Sequence, residues 1–280
     1  MNVARRALGE RRIGHGGTLD PFATGLIVLL VGRATRLLQY VHDDPKVYEA
    51  VVRFGAETDT EDLGGAVVRE APRPTREALL AALPAFRGAI EQRPPAYSAK
   101  RVGGKRAYEL ARAGEAVVLA PATVRIHELA LSQFDERDDG VVQCRLQVEC
   151  GGGTYVRSLA RDLARAAGSA GHLTALRRSR AGVFTLARSI PLEQLRGGDV
   201  QLAPAIDALE GHPHQPLRDD EVAHIVRGID VEARVPGAFA ALLDPLAATA
   251  AAQLVAFAER RPSERGDRWQ PRVVMREPAP

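Results

Sequence analysis

The stretch GHGGTLDPFATG, Gly14 to Gly25, decides how this chain reads. It sets one carboxylate, Asp20, in a glycine-bracketed loop just ahead of an apolar run. Gly14, Gly16 and Gly17 permit positive φ and close approach of the backbone to another segment, while Pro21 disfavours a helical conformation at Asp20. The LIVLLVG that follows, Leu26 to Gly32, is a short branched apolar run that reads as a buried strand anchoring the loop. Taken alone, Asp-Pro is also an ordinary turn between two elements. A turn needs neither the flanking glycines nor a strand behind it, whereas functional carboxylates are commonly carried on loops that a rigid element supports.

Outward from that loop, 280 residues suffice for one large domain and a smaller one. No apolar run reaches the roughly eighteen residues of a membrane span, and MNVARRALGERR lacks the apolar centre of a signal peptide. The reading therefore expects a cytoplasmic protein with no membrane partner. Cys144 and Cys150 alternate with polar residues in VVQCRLQVEC, a half-buried strand, and six residues of strand separate them by roughly 20 Å, beyond disulfide reach. They read as core fillers, and two cysteines make no zinc site. His212 and His214, an HPH pair, read as surface loop. No phosphate loop, dinucleotide fingerprint or HExxH occurs, so neither cofactor nor metal is expected.

The net charge is only +3, but it is unevenly spread. Residues 1–40, 87–112 and 155–180 carry +4, +5 and +5, and the remainder carries −11. Three basic segments of this kind can converge on one face for a polyanion. Arginine supplies nearly all of the positive charge, the only lysines being Lys46, Lys100 and Lys105, which suits bidentate phosphate contacts.

Val47 to Phe54 reads as a strand with Tyr48, Ala50, Val52 and Phe54 on one face. ALLAALPAF reads as a helix closed by Pro84, and AYELARAG as a short helix ended at Gly114. The strand Val141 to Cys150 leads through GGGT into an amphipathic helix from about Tyr155 to Ala167, with Thr154 as its expected N-cap. Arg157 falls in the first turn, where the helix dipole disfavours a cation, so an anionic group is expected opposite it. Arg157, Arg161 and Arg165 recur at i, i+4 and i+8. For the latter two a solvated stripe or phosphate contacts are the expected roles. After about Arg196 come proline breaks, an alanine-rich run and two strand-like pieces, LVAFAE and RVVM, which read as a separate small domain. RRPSERGDR, from Arg260, is expected to be exposed and flexible.

GHGGTLDPFATG resembles the catalytic motif of the TruB family of tRNA pseudouridine synthases, GHxGTLDPxATG. The resemblance continues in order through KVYEAVVRFGAETDTEDLGG from Lys46, QRPPAYSAKRVGGKRAYELARAG from Gln92, GGGTYVRSLARDLARAAG from Gly151 and LRRSRAGVF from Leu176. It implies an α+β fold, a mixed, mainly antiparallel sheet flanked by helices and loops, with a small C-terminal β-rich, PUA-like domain. The implied domains are residues 1–196, catalytic, with an RNA-clamping insertion at about 92–125, and 197–280, RNA-binding. It implies Asp20 as catalytic aspartate, Arg157 as the arginine paired with it, and Tyr48 as the active-site tyrosine. An arginine fork opposite a carboxylate favours the anion and fixes its direction. For contact with RNA it implies His15 and Leu176, the latter against the target base. Arg101, Lys105, Arg161 and Arg177 are further RNA-binding candidates, Arg177 and Arg178 as phosphate or structural contacts.

The implied reaction converts uridine to pseudouridine at position 55 in the T loop of tRNA, with the base flipped out of its stack. No cofactor, metal or guide RNA is implied, and a monomer is expected. Two departures stand out. Family members carry a strand and a DKPxGxTS-like segment ahead of the GH motif, whereas only thirteen residues precede Gly14 here. Either that segment is encoded upstream of Met1 or the sheet lacks a strand. In YSAKRVGGKRAY, Arg101 occupies the usual lysine position with Lys100 beside it. The rival reading is a non-catalytic RNA-binding protein or tRNA-folding chaperone on the same fold.

Overall fold

The strand Lys46–Phe54 shows how the main sheet is built, since its buried residues alternate strictly and place Tyr48, Ala50, Val52 and Phe54 on the core side. In the computed structural model, which describes residues 1–138, 140–198, 200–249, 253–264 and 266–276, this strand lies at the centre of a seven-stranded sheet. Its antiparallel neighbours are Val142–Cys150 and Gly171–Ala181. Ala122–Glu136 and Gly88–Gln92 extend the sheet on one side, and Phe184–Thr185 on the other. The two-residue strand Thr24–Gly25 joins Gly171–Ala181 in parallel. The helix Val156–Ala166 buries Leu159, Ala160, Leu163 and Ala164 in the core that Ala50, Val52, Leu146 and Leu173 line. Both cysteines lie in that core, unpaired and buried.

Several local expectations are corrected. Thr154 is not the N-cap of the helix: its hydroxyl donates to the Gly151 carbonyl, Tyr155 takes the cap position, and the Tyr155 N–H is satisfied by Gln92 Oε1. The helix expected over ALLAALPAF runs from Arg76 to Ala82, capped by Thr75, and Pro84 sits inside a following 3-10 turn, Leu83–Phe86, where its missing N–H costs nothing. The insertion holds a small hairpin, Arg101–Val102 with Lys105–Arg106, and the helix Ala107–Arg112.

The chain folds as two compact units that do not divide at a single point near residue 196. The sheet just described belongs to residues 19–26 and 43–186, and the other unit gathers residues 1–18, 27–42 and 187–280. The physical reason lies inside the second unit. Val28–Val31 pairs with Ile13–Gly16, and Tyr40 packs against Phe239 and Phe257 with ring centroids 5.4 and 4.7 Å away. The run Leu26 to Gly32 is therefore not one strand of the main sheet. Leu26 is bonded to Arg178, whereas Val28–Val31 forms its own two-stranded ribbon.

The C-terminal part carries a five-stranded sheet in the order His214–Pro216, Phe239–Leu243, Leu254–Arg261, Arg268–Val274, Val231–Glu232, with the helix Asp219–Val226 against it. Trp269 is fully buried there, donating from Nε1 to Gln215 Oε1 at 2.7 Å. The HPH pair is not simple surface loop: His212 packs at a tilt against His42 and edge-on against Phe257 and bonds the Tyr40 carbonyl, and His214 opens a strand. In RRPSERGDR, Arg260, Arg261 and Arg268 stand on strands with carboxylate partners, while Arg265 lies outside the described residues, as does part of the alanine-rich run. Among the described residues no helix is long and apolar enough to cross a membrane.

Candidate active site

Asp20 sits on the loop that the short parallel strand Thr24–Gly25 ties to the main sheet. The Leu26 N–H donates to the Arg178 carbonyl at 2.8 Å, and Arg178 Nε donates back to the Leu26 carbonyl at 2.9 Å. Leu19, Phe22 and Ala23, around Asp20, pack on the apolar cluster that contains Tyr48 and Leu176. The sequence thus surrounds one carboxylate with apolar neighbours that fix its loop.

Arg157 meets that carboxylate as a fork. Nε donates to Asp20 Oδ2 at 3.0 Å and Nη2 to Asp20 Oδ1 at 2.8 Å, the bidentate arrangement that sets distance and direction together. Arg157 is only 4% exposed, and the Asp20 side chain 28%. The remaining guanidinium edge is also occupied. Nη1 donates to the Thr60 carbonyl at 2.8 Å and lies 3.8 Å from Asp62 Oδ2, and Nη2 donates to the Tyr97 carbonyl at 3.0 Å. Asp62 is itself held by the Thr60 hydroxyl and the Gly64 N–H. A cation at the first turn of a helix is tolerated here because four backbone or carboxylate groups surround it.

Tyr48 is buried, on the sheet face beneath the loop, in hydrogen-bond contact with the Arg178 guanidinium. Burial raises its phenol above the ordinary tyrosine range, and Arg178 opposes that shift in part. Leu176 is buried in the same cluster. Asp20, Arg157, Tyr48 and Leu176 therefore belong to one neighbourhood of one unit.

The other candidates are not members of this buried cluster. Arg101 and Lys105 stand exposed on the small hairpin of the insertion. Arg177 is exposed, its backbone paired with Thr24. His15 is exposed on Ile13–Gly16, opposite Leu29, in the other unit. Arg178, by contrast, is fully buried and structural.

Arg161 corrects the expected solvated stripe. It is buried, its Nη1 paired with Glu61 Oε1, its Nε and Nη2 with both oxygens of Asp162, and Nη2 also with the Arg93 carbonyl. Arg165 is half exposed and forks onto Glu57 at 2.9 and 2.5 Å. The three arginines face the acidic segment Glu57 to Asp62, Arg157 at the Thr60 carbonyl and Asp62, Arg161 at Glu61 and Arg165 at Glu57. Thr60, Glu61, Asp62 and Tyr97 are the residues of this arrangement that were not singled out from sequence. The available signal was the close spacing of Glu57, Asp59, Glu61 and Asp62 in a chain whose helix carries arginine every fourth residue. The two carbonyls leave no trace in residue type.

The fold is shared with Cbf5 chains. An archaeal box H/ACA sRNP Nop10–Cbf5 complex matches with a TM-score of 0.64 at 21% identity, covering 99% of this chain and 81% of that one. An H/ACA RNP bound to a substrate RNA containing 2′-deoxyuridine matches with a TM-score of 0.62 at 20% identity, covering 99% and 79%. Residues 5–156 match the model for the N-terminal domain of TruB family pseudouridylate synthase. The chain is 44% identical over 238 residues to tRNA pseudouridine synthase B of Bradyrhizobium diazoefficiens, covering 81% of this chain and 68% of that protein. It is 41% identical over 251 residues to the protein of the same name from Gluconacetobacter diazotrophicus, covering 85% and 81%. The chain spans a smaller share, 65%, of the Nitrobacter winogradskyi relative. The chain belongs to the TruB family of pseudouridylate synthases.

Proposed function

We propose that this chain isomerises uridine to pseudouridine at position 55 in the T loop of tRNA, with Asp20 as the catalytic carboxylate. The observation that carries the reading is the two-bond grip of buried Arg157 on Asp20, made beside an apolar cluster that holds Tyr48 and Leu176. In the reaction the N1–C1′ glycosidic bond breaks, the uracil turns, a C5–C1′ bond forms, and the proton leaving C5 is balanced by one gained at N1. No electron is gained or lost. Asp20 would act by attack on the sugar carbon, addition to the uracil ring or abstraction of a sugar proton, and each role needs a fixed, anionic oxygen. Flipping the base out of its stack costs a few kcal/mol, which stacking on Tyr48 and apolar contact with Leu176 would offset.

His15, Arg101, Lys105 and Arg177 are assigned to RNA contact in this reading, and the C-terminal part, from about residue 197, to a PUA-like RNA-binding role. Arg161 is assigned to holding the site together, since its guanidinium is committed to protein acceptors. Unmodified tRNA incubated with the protein alone, without guide RNA, is expected to gain pseudouridine detectable by carbodiimide-primer extension. Asp20→Asn should bind the tRNA and form none. Absence of product from the folded wild-type protein, with tRNA binding retained, would instead establish the non-catalytic binder.

A further inference from the structure

Glu61 combines two costly features. It has a positive φ of 61°, alone among the described non-glycine residues, and its side chain is buried. A strained backbone and a desolvated carboxylate persist together only where surrounding contacts hold them. Here the Glu61 N–H donates to the Thr58 carbonyl at 3.0 Å, and its own carbonyl accepts from the Leu173 N–H at 3.1 Å. Its Oε2 accepts from the Ser158 hydroxyl at 2.7 Å, and its Oε1 from Arg161. Burial holds this carboxyl above the ordinary glutamate range, and Arg161 and Ser158 oppose that shift only in part.

The anchors lie on the helix that carries Arg157. Ser158 follows Arg157 directly, and Arg161 is one turn further on. The Glu61 carboxylate contacts this helix at Ser158 and Arg161, and its two chain neighbours contact it at Arg157 Nη1: the Thr60 carbonyl at 2.8 Å and Asp62 Oδ2 at 3.8 Å. The Glu61 carboxylate is thus the pin, and Thr60 and Asp62 are the jaws.

We propose that Glu61 is a positioning residue for the Asp20–Arg157 pair, docking the segment Asp59 to Gly64 on the helix Val156–Ala166 so that the Thr60 carbonyl and Asp62 hold the guanidinium in register with Asp20. The proposal rests on the catalytic reading of Asp20. Without the pin, the segment is tied to the helix less tightly although its backbone bonds to Thr58 and Leu173 remain, the acceptors at Nη1 shift, and the guanidinium that orients Asp20 shifts with them. Misplacement of a catalytic group by about 1 Å can cost on the order of a hundredfold in rate.

Glu61→Gly is the informative variant, because glycine accepts the positive φ without strain while removing the buried side chain that carries the carboxylate. Its single-turnover rate on tRNA is expected to fall about 50-fold, with tRNA affinity within twofold of wild type. Glu61→Gln, which can still accept from Arg161 through its amide oxygen, is expected to recover most of that loss. A second readout does not depend on turnover. The Arg157 Nε–H resonance, assigned with Arg157→Lys, is expected to exchange with solvent at least tenfold faster in Glu61→Gly. If Glu61→Gly is too unstable to study, Ser158→Ala removes one of the two anchors and should shift both readouts in the same direction, by a smaller factor. Unchanged Arg157 exchange, or a rate within threefold of wild type, in whichever of the two variants folds would overturn the proposal. A wild-type protein that makes no product would defeat the catalytic reading, and the exchange measurement would still decide the role of Glu61.

Discussion

The backbone of Gly25 lies so close to Arg178 that a Cβ built on Gly25 would stand 2.2 Å from the Arg178 carbonyl oxygen. Gly25 also has a φ of 93°, outside the range of ordinary L-residues. This contact closes the loop that carries Asp20 onto the strand Gly171–Ala181. Gly25→Ala is expected to destabilise the protein by about 2–4 kcal/mol, through forced backbone displacement and φ strain together. Urea denaturation of the two proteins measures it, and equal midpoints would show that the contact can relax.

Arg157→Lys keeps the charge and loses the fork. A single ammonium cannot satisfy both Asp20 oxygens and the carbonyls of Thr60 and Tyr97 together. The expected loss in single-turnover rate is about a hundredfold or more, with tRNA affinity little changed. A variant as active as wild type would mean that direction at Asp20 is set by its own loop.

Glu57 should govern part of the acid stability. Its burial works against the charged form, but the fork from Arg165 and the single bond from Arg69 outweigh that and hold the carboxyl below the ordinary glutamate range. A depressed folded pKa means that the unfolded chain takes up the proton first. The stabilisation is therefore complete above the unfolded value of about 4.3 and is lost as pH falls through the folded one. Both arginines are about half exposed, so screening limits the contribution to about 1–2 kcal/mol. Glu57→Gln should flatten the stability profile on the acid side of pH 5 in chemical denaturation, and an unchanged acid limb would count against the ion-pair account.

Cys144 and Cys150 should resist modification. Burial pushes their thiols up to about 12 and about 11, so almost no thiolate exists near neutrality. Iodoacetamide at pH 8 is expected to label neither in the native protein and both in denaturant, as mass spectrometry would record. Rapid native labelling would mean that the strand Val142–Cys150 opens locally.

Arg101 and Lys105 project from an exposed hairpin where no core contact holds them. If they meet phosphates, replacing both with glutamine should lower the slope of log affinity for tRNA against log salt by about 1–2 and leave stability within about 0.5 kcal/mol. An unchanged slope would remove them from the RNA-facing surface.

The strands Lys46–Phe54 and Val142–Cys150 were legible because their alternation is unbroken. The longest strand, Ala122–Glu136, was not, since irregularities near Ile126 and Leu131 reset its phase. Gly171–Ala181 was hidden for another reason: GHLTALRRSRA carries four cationic or imidazole side chains, and the burial of Arg178 depends on the Leu26 carbonyl, 152 residues away. Thr154 looked like a cap from residue type alone, but Gln92, distant in sequence, satisfies the helix start instead.

The sequence by itself determined the family and the sheet strands that bear Tyr48 and the cysteines, because each of these is written in residue identity, spacing or period, whereas the pairing of Asp20 with Arg157 entered only as an implication of the family resemblance. Only the tertiary structure decided that the arginine stripe turns inward onto Glu57 and Glu61, that the carbonyls of Thr60 and Tyr97 complete the grip on Arg157, and that the Gly14–Gly25 motif divides between two units after Thr18. A backbone carbonyl has the same chemistry in every residue. Which one a buried guanidinium finds is fixed by packing between segments remote in the chain, and local pattern carries no record of it.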